Sequence, residues 1–161
     1  MRKEIQTIIP GVGIGTLKFG LTKDEVESLV GPPDDIDFVP DMEGDVNESL
    51  ESWHYDSHEF SVVFDADFDW RVVSIAVSDP FFTLFGHHII GMDKEKVKKV
   101  LQEANVEISE EEDISDEDNP DMQLIESEDA GLMIWFDEGE AIEIQLLPEL
   151  DEDGEDIVWP E

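Results

Sequence analysis

The stretch "GLTKDEVESLV" (Gly20–Val30) has a counterpart in "GMDKEKVKKVL" (Gly91–Leu101), 71 positions further on. In the first, Val26, Leu29 and Val30 fall at i, i+3 and i+4, which is one apolar face of a helix. Thr22 precedes that face and Glu25 follows three residues later. This is the capping-box pattern, in which a hydroxyl and a carboxylate each satisfy a backbone N–H that the first helical turn leaves without a partner. Gly31-Pro32-Pro33 stops the helix, because glycine leaves helical geometry cheaply and proline cannot continue it. The second stretch repeats the face with Val97, Val100 and Leu101. Asp93 is its expected N-cap, and its helix is expected to run to about Ala104.

The same glycines settle a possible confusion. "GTLKFGLT" (Gly15–Thr22) has the glycine and threonine spacing of a phosphate-binding loop, but Leu21 stands where the lysine belongs. Without that lysine nothing reaches the β- and γ-phosphates. Gly11-x-Gly13-x-Gly15 is likewise not a dinucleotide-binding turn, because its third glycine is misplaced. Gly20 and Gly91 are therefore expected to be turns before capped helices.

Working outward, the correspondence continues through alternating apolar runs. "SWHY" (Ser52–Tyr55) falls on "QLIE" (Gln123–Glu126), and "FSVVF" (Phe60–Phe64) on "LMIWF" (Leu132–Phe136). "VVSIAV" (Val72–Val77) lies within a few residues of "AIEIQL" (Ala141–Leu146). Period-two alternation predicts strands with Trp53 and Tyr55, then Phe60, Val62 and Phe64, then Val73, Ile75 and Val77 facing inward. The second set is Leu132, Ile134 and Phe136, then Ile142, Ile144 and Leu146. "DADFD" (Asp65–Asp69) and "DEGE" (Asp137–Glu140) suit hairpin connections. Phe81, Phe82 and Phe85, in the link between the copies, are expected to pack at the seam. The expected fold class is α+β: two tandem repeats, each a helix, a long acidic loop and about three antiparallel strands, forming one domain over residues 1–161. Repeat one would cover about 14–79 and repeat two about 86–148, with an acidic tail at 149–161.

This pattern, carried by Gly20, Leu21, Thr22, Glu25, Val26, Leu29, Gly31 and Pro33 and again by Gly91, Met92, Val97 and Val100, resembles the helix–loop–sheet unit of the β-lactamase inhibitory protein fold. Two such units stand in tandem in that family; the SmpA/OmlA lipoprotein domain is similar and uses one. The resemblance implies a tandem sheet whose concave face grips another protein. In size and acidity the chain also resembles bacterial immunity proteins.

Composition narrows the partners. Nine Lys and Arg stand against 44 Asp and Glu, a formal net charge of −35. A charge of that sign disfavours direct contact with nucleic acid, whose phosphates need Lys and Arg. It also disfavours anionic membrane surfaces. The 40% hydrophobic share is enough for a packed core. With no cysteine there are no disulfides, thiolate zinc sites or cysteine nucleophiles. In the opening "MRKEIQTIIPGVGIG" the apolar stretch is short and broken by Gln6, Thr7 and Pro10, so no signal peptide is expected there. The expected location is the cytoplasm.

No catalytic constellation emerges. His54 and His58, flanked by Asp56 and Glu59, lack the convergent three or four ligands that zinc requires. His87 and His88 point to opposite faces if the chain is extended. "DADFD" lacks the glycine and closing glutamate of a calcium loop. The expectation is no enzyme, no cofactor and no metal site.

Binding is the remaining class. "EISEEEDISDED" (Glu107–Asp118) is densely acidic, as are Asp34–Glu51 and the tail. Lys94, Lys96, Lys98 and Lys99 cluster on the second helix and can neutralise part of its own acidic loop. Met133 and Trp135 point away from Leu132, Ile134 and Phe136. Trp135 and Met133, with Glu110, Glu111, Glu112 and Asp113, are thus the candidate contacts for a basic partner protein, such as a toxin, or a nucleic-acid-binding protein for which the carboxylates stand in for DNA phosphates. The alternative is a structural or housekeeping domain whose acidity suits a salt-rich cytoplasm.

Overall fold

The computed structural model describes residues 6–40, 46–56, 59–113, 117, 121–127, 130–150 and 157–158. Three short strands, β1 (Thr7–Ile9), β2 (Gly13–Ile14) and β3 (Leu17–Lys18), lead into helix α1 (Lys23–Val30). Four strands follow: β4 (Asp35–Pro40), β5 (Val46–Tyr55), β6 (Phe60–Asp65) and β7 (Arg71–Val77). After β8 (Thr83–Leu84) comes helix α2 (Lys94–Glu103), then β9 (Glu110–Asp113), β10 (Gln123–Ser127), β11 (Leu132–Asp137) and β12 (Glu140–Leu146). A small pair, β13 (Glu149–Leu150) and β14 (Ile157–Val158), closes the chain.

These elements correct the expected fold class. Among the described residues the chain is mostly β, with two α-helices of only eight and ten residues. Strands β4 to β7 and β9 to β12 do not divide into two helix–sheet units. They form one continuous eight-stranded antiparallel sheet in the order β4-β5-β6-β7-β12-β11-β10-β9. Its halves are welded by the β7–β12 ladder, where Ile75 meets Leu146 and Val77 meets Ile144. Local alternation marks each strand but carries no information about which non-local strand it pairs with. A second, four-stranded sheet in the order β3-β2-β1-β8 was absent from the expectation altogether. Here β1 and β8 are parallel, with Ile8 beside Leu84. Its strands are two or three residues long, too short for alternation to register. Gly13 is required in it, because a Cβ there would collide with the Leu17 carbonyl.

Local expectations fared differently. Thr22 accepts from Glu25 N–H at 3.3 Å while Glu25 Oε1 accepts from Thr22 N–H at 3.1 Å, a complete capping box. Asp93 Oδ1 caps α2 by accepting from Lys96 N–H at 2.9 Å. Gly31 (φ 87°) ends α1, its carbonyl accepting from Tyr55 Oη at 3.0 Å. Gly20 and Gly91 have φ of 93° and 91°, left-handed conformations that glycine adopts without a Cβ clash. The "DEGE" turn has positive φ at both Glu138 and Gly139, the primed geometry that fits the twist of a two-residue hairpin.

One cluster of buried side chains unites Ile8, Ile14, Leu17 and Phe19 with Val26 and Val30 of α1, Val97 and Leu101 of α2, and one face of the large sheet. Trp53, Tyr55, Phe60, Val62, Phe64, Leu132, Ile134 and Phe136 take the inward positions that alternation assigns. Two assignments shift by one residue. Val72 and Ala141 are buried where Val73 and Ile142 were expected, and Ile142 is 39% exposed. The cause is a pair of bulges. Phe64 faces Val72 while Val63 faces Ser74, so Val73 is the extra residue. Phe136 faces Ala141 while Trp135 faces Glu143, which makes Ile142 extra. A bulge re-aims every side chain on its far side. At the seam, Phe82 is buried and meets the rings of Phe60 and Phe81 at 6.0 and 5.2 Å, whereas Phe85 is 38% exposed.

Candidate functional site

The candidate residues occupy the last three strands of the large sheet. The stretch Glu110–Asp113 is an edge strand, not part of a loop. Nothing apolar drives it; β9 exists because β10 supplies a ladder from Gln123 to Glu126. Strand alternation then divides the acidic quartet. Glu111 pairs with Ile125 and Asp113 with Gln123, on the face that the helices cover. Glu110 pairs with Glu126 and Glu112 with Leu124, on the outer face.

The split has an electrostatic consequence. Glu111 bridges Lys94 and Lys98 of α2, the latter at 3.2 Å, and the Lys94 hydrogen bond holds its pKa below the ordinary carboxylate value. Its charge is therefore already engaged within the chain. The expectation that α2 neutralises part of its neighbouring acidic stretch holds for this residue. Glu110 has the opposite tendency. A shared hydrogen bond with Glu112, and repulsion from the same carboxylate, raise its pKa.

Met133 and Trp135 lie on the outer face beside these acids, each partly buried. Cross-strand pairing places Leu124 and Glu143 on either side of Trp135, and Glu126 and Gln145 on either side of Met133. One row thus reads Glu143–Trp135–Leu124–Glu112, and the next Gln145–Met133–Glu126–Glu110. Directly opposed side chains in such rows stand about 5 Å apart. Leu124, Glu126 and Glu143 were not singled out from the sequence. Only the ladders, not residue type, could assign them. Burial raises the pKa of Glu143. Among the described residues no lysine or arginine pairs with Glu110, Glu112, Glu126 or Glu143; Lys23 pairs instead with Glu51, Lys96 with Asp93, and Lys94 and Lys98 with Glu111.

The other candidates do not converge. His54 Nε2 lies 3.3 Å from Asp37 Oδ2, and His58 falls outside the described residues. His54, Asp56, Glu59, Ser61, Ser78 and Glu143 line a shallow outer-face cavity of about 300 Å³. Among the described residues no three His, Asp or Glu side chains are placed to hold a metal ion. His88 is tied to the Pro80 carbonyl at 2.7 Å, away from this face. No described helix is long and apolar enough to cross a membrane.

Fold and site together define a mostly-β protein: an eight-stranded antiparallel sheet with helices on one face and an acidic, aromatic-bearing patch on the other. No protein-family model and no curated protein matches the chain. Two solved structures share a partial likeness. One is an extracellular protein containing a SCP domain from Bacillus anthracis, with 11% identity and a TM-score of 0.49 over 88% of this chain and 49% of that one. This chain therefore spans about half the length of that protein. The other is a DUF4309 family protein from Bacillus subtilis, with 14% identity and a TM-score of 0.48 over 86% of this chain and 88% of that one. Likenesses at this level define neither fold nor function. Neither protein is described as a β-lactamase inhibitor, so the resemblance noted in the sequence gains no support from them.

Proposed function

We propose that the protein is a non-enzymatic, acidic protein-binding module of inhibitor or immunity type, acting in the cytoplasm to neutralise a basic partner. The observation that carries this reading is the outer-face patch: Trp135, Met133 and Leu124 interleaved with Glu110, Glu112, Glu126 and Glu143, without a pairing lysine or arginine among the described residues. Glu110, crowded by Glu112, and Glu143, raised by burial, are costly to keep ionised, and a cationic surface relieves that cost as it docks. Long-range attraction from a −35 chain speeds the encounter. A desolvated aromatic anchor then slows release.

The experiment is affinity capture at low salt followed by binding kinetics on the recovered protein. Charge reversal at Glu110 and Glu112 should slow association and flatten its salt dependence, since exposed charges are screened beyond about 10 Å at 0.1 M salt. Trp135→Ala should speed dissociation about thirtyfold, the equivalent of about 2 kcal/mol. If no basic protein is retained, and the chain itself unfolds as salt is removed, the acidity belongs to salt adaptation and this reading fails.

A further inference from the structure

The opposite edge of the large sheet has a different composition. Strand β4 is the outermost strand there, and among the described residues it pairs only with β5. Its register sets Asp35 against His54, Ile36 against Trp53, Asp37 against Ser52 and Phe38 against Glu51. Asp35 and Asp37 therefore share the outer face, while Ile36 and Phe38 share the helix-side face. Ile36 is 50% and Phe38 45% exposed, the highest values among the large exposed hydrophobic residues described. Sheet edges are usually blunted by charge, proline or bulges, because their unpaired backbone invites another strand. β4 carries such devices, with Asp35 and Asp37 along it and a register shift between Phe38 and Pro40 at its end, yet two large apolar side chains stay open between them.

We propose that β4 receives an extended segment of a basic partner by strand addition, with lysine or arginine alternating with apolar residues. Side chains of an added strand alternate between faces. One set would meet Asp35 and Asp37, and the other would cover Ile36 and Phe38. The backbone is arranged for this exchange. Ile36 N–H donates to Asp35 Oδ1 at 3.0 Å, so the carboxylate holds a donor that an incoming carbonyl can take. Released, Asp35 is free to pair with the partner's cation. A second copy of the chain is the wrong occupant. Antiparallel self-pairing would crowd Asp35 and Asp37 of both copies onto a shared face, between bodies carrying −35 each. The inference shares a cationic partner with the proposed function but uses the far edge of the sheet from Trp135.

The test uses the full chain and a labelled peptide alternating lysine and valine over about six residues, the usual strand length. Binding is read by fluorescence anisotropy at low and high salt. The fully N-methylated peptide lacks backbone donors, and a peptide with its lysines and valines in separate blocks lacks the alternation. Both should bind about tenfold more weakly or worse. Ile36→Thr combined with Phe38→Thr keeps strand-favouring side chains at both positions and should weaken binding about tenfold with the salt dependence intact. Asp35→Asn combined with Asp37→Asn should flatten the salt dependence, and Trp135→Ala should change nothing. Equal binding of the N-methylated peptide would show charge adsorption alone and overturn the proposal. So would unaltered binding by the threonine variant, or a self-association by sedimentation that the threonine variant abolishes. Loss of binding in Trp135→Ala instead would move the peptide to the outer-face patch, sinking the edge site while leaving the other reading standing.

Discussion

The two helix entrances are docked by matching bonds and anchored by different means. At α1, Gly20 N–H donates to the Val72 carbonyl and Val72 N–H to the Leu21 carbonyl, both at 3.0 Å. At α2, Gly91 N–H donates to the Ala141 carbonyl at 2.7 Å and Ala141 N–H to the Met92 carbonyl at 2.9 Å. Each docking point lies on the strand that carries the bulge. A first-turn lysine follows in both. Lys23 reaches Glu51 at 3.0 Å and lies 4.0 Å from the centre of the Trp70 ring. Lys94, with Lys98, reaches Glu111. The strands they grip differ. Glu51 is on β5, inside the sheet, with its side chain 15% exposed and accepting Trp53 Nε1–H at 2.7 Å. Glu111 is on the acidic edge strand β9 and 36% exposed. The same local code thus seats both helices, while the lysine of α1 grips a largely buried glutamate and the lysines of α2 a more exposed one.

The hardest test of the shared docking removes the ring at each bulge. Phe64→Ala and Phe136→Ala each delete a fully buried aromatic, and each should lower unfolding free energy by about 3–5 kcal/mol in denaturant titrations. A loss below about 1 kcal/mol at one of them would break the equivalence. Next come the caps. Thr22→Ala and Asp93→Ala should each cost about 1 kcal/mol. An unchanged midpoint for Thr22→Ala would show that the box at α1 is redundant with its packing.

The contrast in anchoring is sharpened by pH. Because the folded state lowers the pKa of Glu111, the stability it contributes is complete above the ordinary carboxylate value of 4.5 and is lost as pH falls through the lowered value. Acid should therefore release amide protection in Glu110–Asp113 before it does so in α1, and Glu111→Gln should remove that difference. Hydrogen exchange across an acid series measures both. Simultaneous release in the parent chain would refute the unequal anchoring. The smallest effect is expected at Glu143, whose pKa is raised by burial. Its favourable term is complete below the ordinary value and fades as pH rises through the raised one. Glu143→Gln should thus slightly raise the thermal midpoint at neutral pH and leave it unchanged in acid. A lowered midpoint at neutral pH would mean that the carboxylate has a favourable partner on that face.

What the sequence determined by itself is what chain neighbours decide. Thr22 and Glu25 are three residues apart, so their capping box follows from local geometry, as do the Gly31 stop and the Glu138-Gly139 turn. The faces of β6 and β11 are also fixed locally, because alternation in "FSVVF" and "LMIWF" leaves one apolar choice. Only the tertiary structure decided the rest. Val72 replaces Val73 in the core because the partner strand forces a bulge there, and Ala141 replaces Ile142 for the same reason. Glu110–Asp113 has no apolar pattern and becomes a strand through β10, which separates Glu111 from Glu110 and Glu112 onto opposite faces. The same ladders bring Leu124, Glu126 and Glu143 around Trp135 and Met133. The weld between β7 and β12, and the parallel pairing of Thr7–Ile9 with Thr83–Leu84, join residues roughly 70 positions apart. No window of sequence contains both partners of such a pair, so its hydrogen bonds are written into the fold and not into either segment.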